Sequence, residues 1–321
     1  DLAPVVFVHG IFGSYLSRSG GCWRTGFLTA SQAAGVKSSN ISLPLCWENG
    51  RQLYQKDPFM ATRCIEAVAG FGVYKPLFDW LASLWGGDFH PFAYDWRRDN
   101  NESADLLIKF LESVVAGSGG RPAIVMAHSN GGLLTMAALN EVPHLIHSVV
   151  FCAPALCPGP GFLYDMTYGK PCAGKAFAAK VLTAEALCSH PCYYSFLASH
   201  PEAAGGGFKP WAGDVEDESI PFVTPTFLNA RGEDLNLMDP SVWQKHKLGA
   251  LWQSASSADD HLRLAHHLSH VCSAVERFRL RTAPRADRVY PPLRCVAAKT
   301  TPTLISLVVD DDGNLRPGDG V

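Results

Sequence analysis

A serine flanked by small residues, Ala127-His128-Ser129-Asn130-Gly131-Gly132, has the spacing for nucleophilic chemistry. A short apolar run, Ala123 to Met126, precedes it, and a helical pattern begins at Leu133. A hydroxyl lifted off a strand end on a tight turn needs small residues two before and two after it, because strand and helix approach closely there. Ala127 and Gly131 fill those positions, so Ser129 is the candidate nucleophile. The competing assignment is a buried serine in a glycine-rich turn, which the motif alone does not exclude.

A second motif lies near the amino end. Val5-Val6-Phe7-Val8 is apolar and β-branched, and it stops at His9-Gly10-Ile11-Phe12-Gly13-Ser14. A buried strand followed by a His-Gly turn supplies a main-chain N–H to an oxyanion, and the residue after the nucleophile supplies another. The predicted donors are the N–H groups of Ile11 and Asn130.

These turns need a sheet to hold them. A stretch from about 17 to 75 is rich in glycine, aromatics and cysteine and has no sustained period. Pro76 to Trp85 predicts a helix and Phe89 to Tyr94 a strand. Leu107, Phe110, Leu111 and Val114 recur at helical spacing and end before Gly117-Ser118-Gly119-Gly120. Ser148 to Cys152 predicts a buried strand, and a second irregular insertion covers about 154–220. Leu264, Leu268, Val271, Val275 and Phe278 mark one helix face before a last strand at Thr303 to Val309. Crossover helices between apolar strands predict a mostly parallel α/β sheet, read as one domain over 1–321 with insertions at about 17–75 and 154–220.

The 321 residues are 47% hydrophobic and 18% charged, enough to bury a large core. A net charge of −3 argues against a nucleic-acid partner. No run approaches the roughly 18 apolar residues of a membrane span. Asp1 lies directly before the first strand, which reads as a processed or trimmed terminus. Ten cysteines without four-ligand zinc spacing predict disulfides in an oxidising compartment and no metal. Asn40-Ile41-Ser42 and Asn101-Glu102-Ser103 fit that route, so the expectation is an extracytoplasmic protein, secreted or lysosomal/lumenal.

Val8-His9-Gly10-Ile11-Phe12-Gly13-Ser14-Tyr15-Leu16, Cys46-Trp47-Glu48-Asn49, Pro91-Phe92-Ala93-Tyr94-Asp95-Trp96-Arg97-Arg98, the Ser129 turn and Gly318-Asp319-Gly320-Val321 span nearly the whole chain. In these residues the sequence resembles the lecithin:cholesterol acyltransferase family, which includes the lysosomal phospholipase A2 and phospholipid:diacylglycerol acyltransferases. The resemblance implies an α/β-hydrolase fold with lid and cap insertions. His9 departs from the family's usual proline, and Asn130 from its leucine or methionine. By resemblance Cys22 and Cys46 close a membrane-touching loop, with Trp23, Phe27, Leu43, Leu45 and Trp47 as apolar surface; ordinary core is the competing reading. The 154–220 insertion would cap an acyl-chain pocket. Tyr94 to Arg98 reads as scaffold, held by a charge-assisted Asp–Arg contact.

The same resemblance places the catalytic acid at Asp319, in a Gly-Asp-x-Thr-Val motif whose threonine is here Val321. Asp310, Asp311 and Asp312 compete for the role. The base should be a histidine after the acid, and none follows Asp319 in these residues, so the expectation is a chain truncated at its carboxyl end. His266 and His270 read as a solvated helix face, His261 and His267 are the other histidines of that segment, and His128 as a local packing residue. The implied activity is cofactor-free acyl transfer or hydrolysis of glycerolipid esters through a Ser129 acyl-enzyme. Its substrate would be glycerolipid or phospholipid at a membrane or lipoprotein surface. The alternatives are an esterase or lipase on other esters, or a non-catalytic lipid-binding relative lacking the triad histidine.

Overall fold

Val5–Val8 is apolar and buried at all four positions, as a central parallel strand covered on both faces must be. The computed structural model describes residues 2–18, 41–53, 57–68, 70–156, 159–171, 180–197, 226–285, 287–298 and 304–318. Its longer strands are β1 (Val5–Val8), β2 (Ser14–Arg18), β3 (Phe59–Cys64), β4 (Phe89–Phe92) and β5 (Ala123–His128), then β6 (Ile146–Cys152), β7 (Thr226–Asn229), β8 (Leu293–Val296), β9 (Ser306–Val309) and β10 (Leu315–Pro317). The helices are α1 (Lys75–Trp85), α2 (Asn100–Gly117), α3 (Asn130–Glu141), α4 (Pro160–Tyr168) and α5 (Ala184–Cys188), then α6 (Pro191–Tyr194), α7 (Pro240–Lys245), α8 (Gly249–Ser254) and α9 (Ala258–Thr282).

Five strands form an all-parallel sheet in the order β8-β6-β5-β1-β4. Val8 is level with Ala127 on one side and Phe92 on the other, and Cys152 is level with His128. The turns after β1, β5 and β6 therefore share the carboxyl edge of the sheet. The order reverses about β1, and open α/β sheets bind ligands at such a point.

The helices α2, α3 and α9 pack against one another beside the sheet. The side chain of Asp99 accepts the Asn101 N–H and caps α2, whose Leu107, Leu111 and Val114 are buried as their spacing predicts. Every residue of α3 from Asn130 to Asn140 is buried, so α3 is a core helix rather than an amphipathic one. The side chain of Ser257 caps α9, and Leu264, Leu268, Val271, Val275 and Phe278 all face inward.

Four expectations are corrected. The strand expected at Thr303 to Val309 is Ser306–Val309 among the described residues and lies outside the five-stranded sheet, pairing in parallel with β7 and antiparallel with β10, the short strand at Leu315–Pro317 that follows it. The sheet's outer strand is instead β8, which the sequence reading missed because Arg294, Cys295 and Val296 are exposed at an edge and show no burial pattern. The seven cysteines among the described residues are free thiols, Cys46 included; Cys22 lies outside the described residues. Several are small core residues: Cys64 donates to the Phe92 carbonyl and Cys188 to the Met166 carbonyl, and burial pushes both thiols up to about 12. Finally, Leu43 and Trp47 are buried rather than offered to a membrane. Trp23 and Phe27 fall outside the described residues. No helix among the described residues is long and apolar enough to cross a membrane.

Arg97 ties the first insertion to this frame. Its guanidinium reaches Asp95 Oδ2 at 2.7 Å, Asp57 Oδ2 at 2.6 Å and the Ile41 carbonyl at 3.1 Å, and all three side chains are nearly solvent-free. Burial alone would raise the Asp95 carboxyl, but the charge and hydrogen bonds of Arg97 outweigh it and hold Asp95 below its ordinary value. Asn101 of the second sequon is spent similarly, donating to the Ala274 carbonyl at 2.8 Å between α2 and α9. Asn40 of the first sequon is outside the described residues.

Candidate active site

Ser129 ends β5 and caps α3 with φ 52°, ψ −119°, a left-sided conformation that a side-chain-bearing residue adopts only under constraint. The constraint is visible on both sides. The Ser129 N–H donates to the Cys152 carbonyl at 3.1 Å, and its carbonyl accepts from Gly132 at 2.9 Å and Ala155 at 3.2 Å. A methyl group on Gly131 would stand 2.4 Å from the Val8 carbonyl oxygen, so only glycine lets α3 approach β1 this closely. The strain raises the serine side chain at the sheet edge, where it is half-buried.

The β1 turn meets it there. A Cβ on Gly10 would lie 2.7 Å from Ser129 Cβ and 3.2 Å from Ser129 Oγ, so Gly10 leaves the space beside the hydroxyl open. Among the described residues, neither the Ile11 N–H nor the Asn130 N–H is spent on a backbone hydrogen bond. Asn130 opens α3, so its N–H is one of the unpaired donors at the positive end of a helix.

The histidine beside the nucleophile is engaged elsewhere. His128 Nδ1 lies 2.8 Å from the Tyr74 hydroxyl, and desolvation lowers its pKa. The Gly10 N–H reaches the same hydroxyl at 3.5 Å, and burial pushes the Tyr74 phenol up to about 12. His9 is stacked on Tyr94 with centroids 4.2 Å apart. His9 Nε2 accepts from the Tyr94 N–H at 3.3 Å, so its proton sits on Nδ1, which donates to the Gly10 carbonyl at 2.6 Å. Burial drops His9 to about 4, which keeps this tautomer neutral.

Two partners here were not foreseen. The Asn130 side chain is fully buried and exchanges hydrogen bonds with Asn100 at 3.1 and 3.0 Å, while donating to the Tyr94 hydroxyl at 3.1 Å. That pairing explains an asparagine where the resemblance expects an aliphatic residue. Tyr74 carried no signal beyond lying at the end of an irregular stretch.

Three of the four acid candidates, Asp310, Asp311 and Asp312, lie among the described residues. Asp319 lies outside the described residues. Asp310 forms the β9–β10 turn, its Oδ1 accepting the N–H groups of Asp312 and Asn314 at 3.0 and 2.8 Å. Asp310, Asp311 and Asp312 are all exposed. The β10 strand runs to Pro317, and Gly318 donates to the Ser306 carbonyl at 3.0 Å. Of the α9 histidines, His267 is buried, His266 is exposed and His261 stacks on Trp252 with centroids 5.8 Å apart.

The family model described as Hydrolase_4, serine aminopeptidase S33, matches residues 91–188, which include Ser129 and its elbow. The chain carries the α/β-hydrolase fold. The uncharacterized protein YJR098C of Saccharomyces cerevisiae is 35% identical over 69 residues, a segment covering 21% of this chain and 10% of the yeast protein. The crystal structure of the Tle4–Tli4 complex is similar at TM-score 0.44 and 13% identity, covering 87% of this chain and 72% of that one.

Proposed function

We propose that this hydrolase-fold chain performs serine-dependent acyl transfer on glycerolipid esters, releasing the acyl group to water or to an acceptor hydroxyl. The strained Ser129 elbow opposite Gly10 carries the proposal, because it sets a half-buried hydroxyl beside a β1 turn left open by glycine. Ser129 Oγ attacks the ester carbonyl, the Ile11 and Asn130 N–H groups receive the oxyanion, and Asp319 orients the base. The base of such a triad is a histidine. Lipid as substrate is supported by the lecithin:cholesterol acyltransferase-like residues that flank the site. A cleft of about 720 Å³ between α4 and the β9–β10 hairpin, lined by Phe162, Leu304, Leu307 and Leu315 together with Asp165, Lys170 and Arg316, is consistent with a lipid substrate, although Ser129 is not part of its lining. A mostly apolar cleft of this size suits an acyl chain. An extracytoplasmic setting and a lipid-surface partner belong to the same proposal.

Acyl release from phospholipid vesicles by the protein tests it. Release by the wild type and its loss in Ser129→Ala is the expected result. Release that survives Ser129→Ala refutes the site. Vesicle binding without release would instead support the lipid-binding alternative.

A further inference from the structure

The outer face of α9 carries two histidines that the hydrolase site does not use. His266 and His270 are one turn apart, and their Nε2 atoms lie 3.2 Å from each other with the rings at 77°. Trp47 backs His270 in a stacked contact with centroids 5.3 Å apart at 11°. Trp47 is itself fixed, its indole N–H donating to His267 Nδ1 at 2.9 Å. One ring of the pair is therefore held in place before any ligand arrives.

We propose that His266 and His270 bind a divalent transition-metal ion through their Nε2 atoms, at a site separate from Ser129. Metal–imidazole bonds are about 2.0–2.1 Å long, so an ion equidistant from two nitrogens 3.2 Å apart is seen at roughly 100–105°. That angle fits tetrahedral coordination once both rings turn their Nε2 lone pairs off the N–N axis toward the ion. In the metal-free pair one Nε2–H donates to the other Nε2. Binding moves that proton to Nδ1 of its own ring and frees both Nε2 lone pairs. Of the flanking cations, Arg263 pairs with Asp260 at 2.7 Å, while Arg277 donates to the neutral Ser273 Oγ at 2.9 Å and keeps its charge. Among the described residues no group of three or more His, Cys, Asp or Glu forms a metal set, so the protein offers two ligands here and water completes the shell. Imidazole donors select Cu²⁺, Ni²⁺ and Zn²⁺ over Mg²⁺ and Ca²⁺.

The test is Zn²⁺ titration by calorimetry, with histidine Cε1–H resonances followed in parallel. It uses a Cys46→Ser/Cys295→Ser background, because those two exposed thiols would compete for zinc. One saturable site that shifts two histidine resonances is expected, with no response to Mg²⁺. His266→Gln, at an exposed position, should weaken binding about 10-fold or more by turning a chelate into a single contact. His266→Gln/His270→Gln should abolish it. Absence of saturable Zn²⁺ binding, or binding unchanged in either variant, overturns the proposal. Ester hydrolysis plays no part in these readouts.

Discussion

Gly131→Ala isolates the close approach on which the elbow depends. The new methyl would sit 2.4 Å from the Val8 carbonyl oxygen, 2.7 Å from that of His9 and 2.9 Å from the Val8 carbonyl carbon. All three are backbone atoms of β1 and its turn, so no side chain can swing aside. Ordinary contact begins at 3.4 Å, so α3 and β1 must separate by about 1 Å in a close-packed interior. Overpacking costs about 1–3 kcal/mol, and a clash confined to backbone belongs at the upper end. At roughly 2 °C per kcal/mol for a chain of this size, the unfolding midpoint should fall by about 6 °C. The same separation moves the Asn130 N–H away from the β1 turn, so turnover should fall further than stability. Gly117→Ala is the control: its methyl meets nothing within 4 Å, and the expected change is about 0.4–1 kcal/mol in the stabilising direction. Urea and thermal unfolding of both variants measure the difference. A Gly131→Ala protein within about 0.5 kcal/mol of wild type would show that close approach is not what the glycine provides.

Three further outcomes follow from buried polar groups. Arg97→Met leaves Asp57 and Asp95 buried without their cation and should cost about 3–5 kcal/mol in urea unfolding, largely recovered when both aspartates become asparagine; a loss under about 1 kcal/mol would contradict the tie. Asn130→Leu strands the Asn100 amide and should cost about 1–3 kcal/mol, whereas Asn100→Leu/Asn130→Leu should cost less than the two single changes together; simple additivity would refute the pairing. Burial lowers His9 and His267 to about 4 and His190 to about 3, so the unfolded chain takes up protons near 6.5 that the native state refuses. Stability is then lost as pH falls from about 6.5 toward 4, on the order of 3 kcal/mol for each fully displaced histidine. Glu102, which burial raises to about 7, opposes this: its contribution is present below about 4.5 and lost as pH rises through 7. An unfolding midpoint that stays flat between pH 6.5 and 4.5 would count against the buried neutral histidines.

The elbow and the β1 turn were legible because their determinants are local. Small residues at fixed offsets from Ser129 and a β-branched run stopping at His9-Gly10 state a backbone requirement within a few positions. The α9 face was legible for the same reason, its apolar residues recurring at helical spacing. What escaped depends on distant pairing. Tyr74 meets His128 across 54 positions, and Asn130 meets Asn100 across 30, with nothing in either neighbourhood to announce a partner. The strand at Ser306–Val309 has the composition of a buried strand, but composition does not say whether it joins β6 or β7. The cysteine count misled because a thiol in apolar surroundings packs as a small hydrophobe, so abundance alone does not signify crosslinks.

The first insertion is also more than a loop added to a finished fold. Ile41 offers its carbonyl to Arg97 at 3.1 Å and to the His190 ring at 3.1 Å, and the Leu43 N–H donates to Ser189 Oγ at 2.9 Å. Trp47 reaches His267 on α9, and Asp57 completes the Arg97 ion cluster. This one segment therefore touches the strand-end scaffold, the second insertion and the long C-terminal helix, each through a group that is buried. Removing it would leave Arg97 short of a carboxylate and His190 and His267 short of partners, and unsatisfied buried groups each carry a desolvation cost of about 1–3 kcal/mol or more. A chain lacking residues 41–59 should consequently fail to fold rather than fold with an open site, because the insertion supplies polar closure to the same core that positions Ser129.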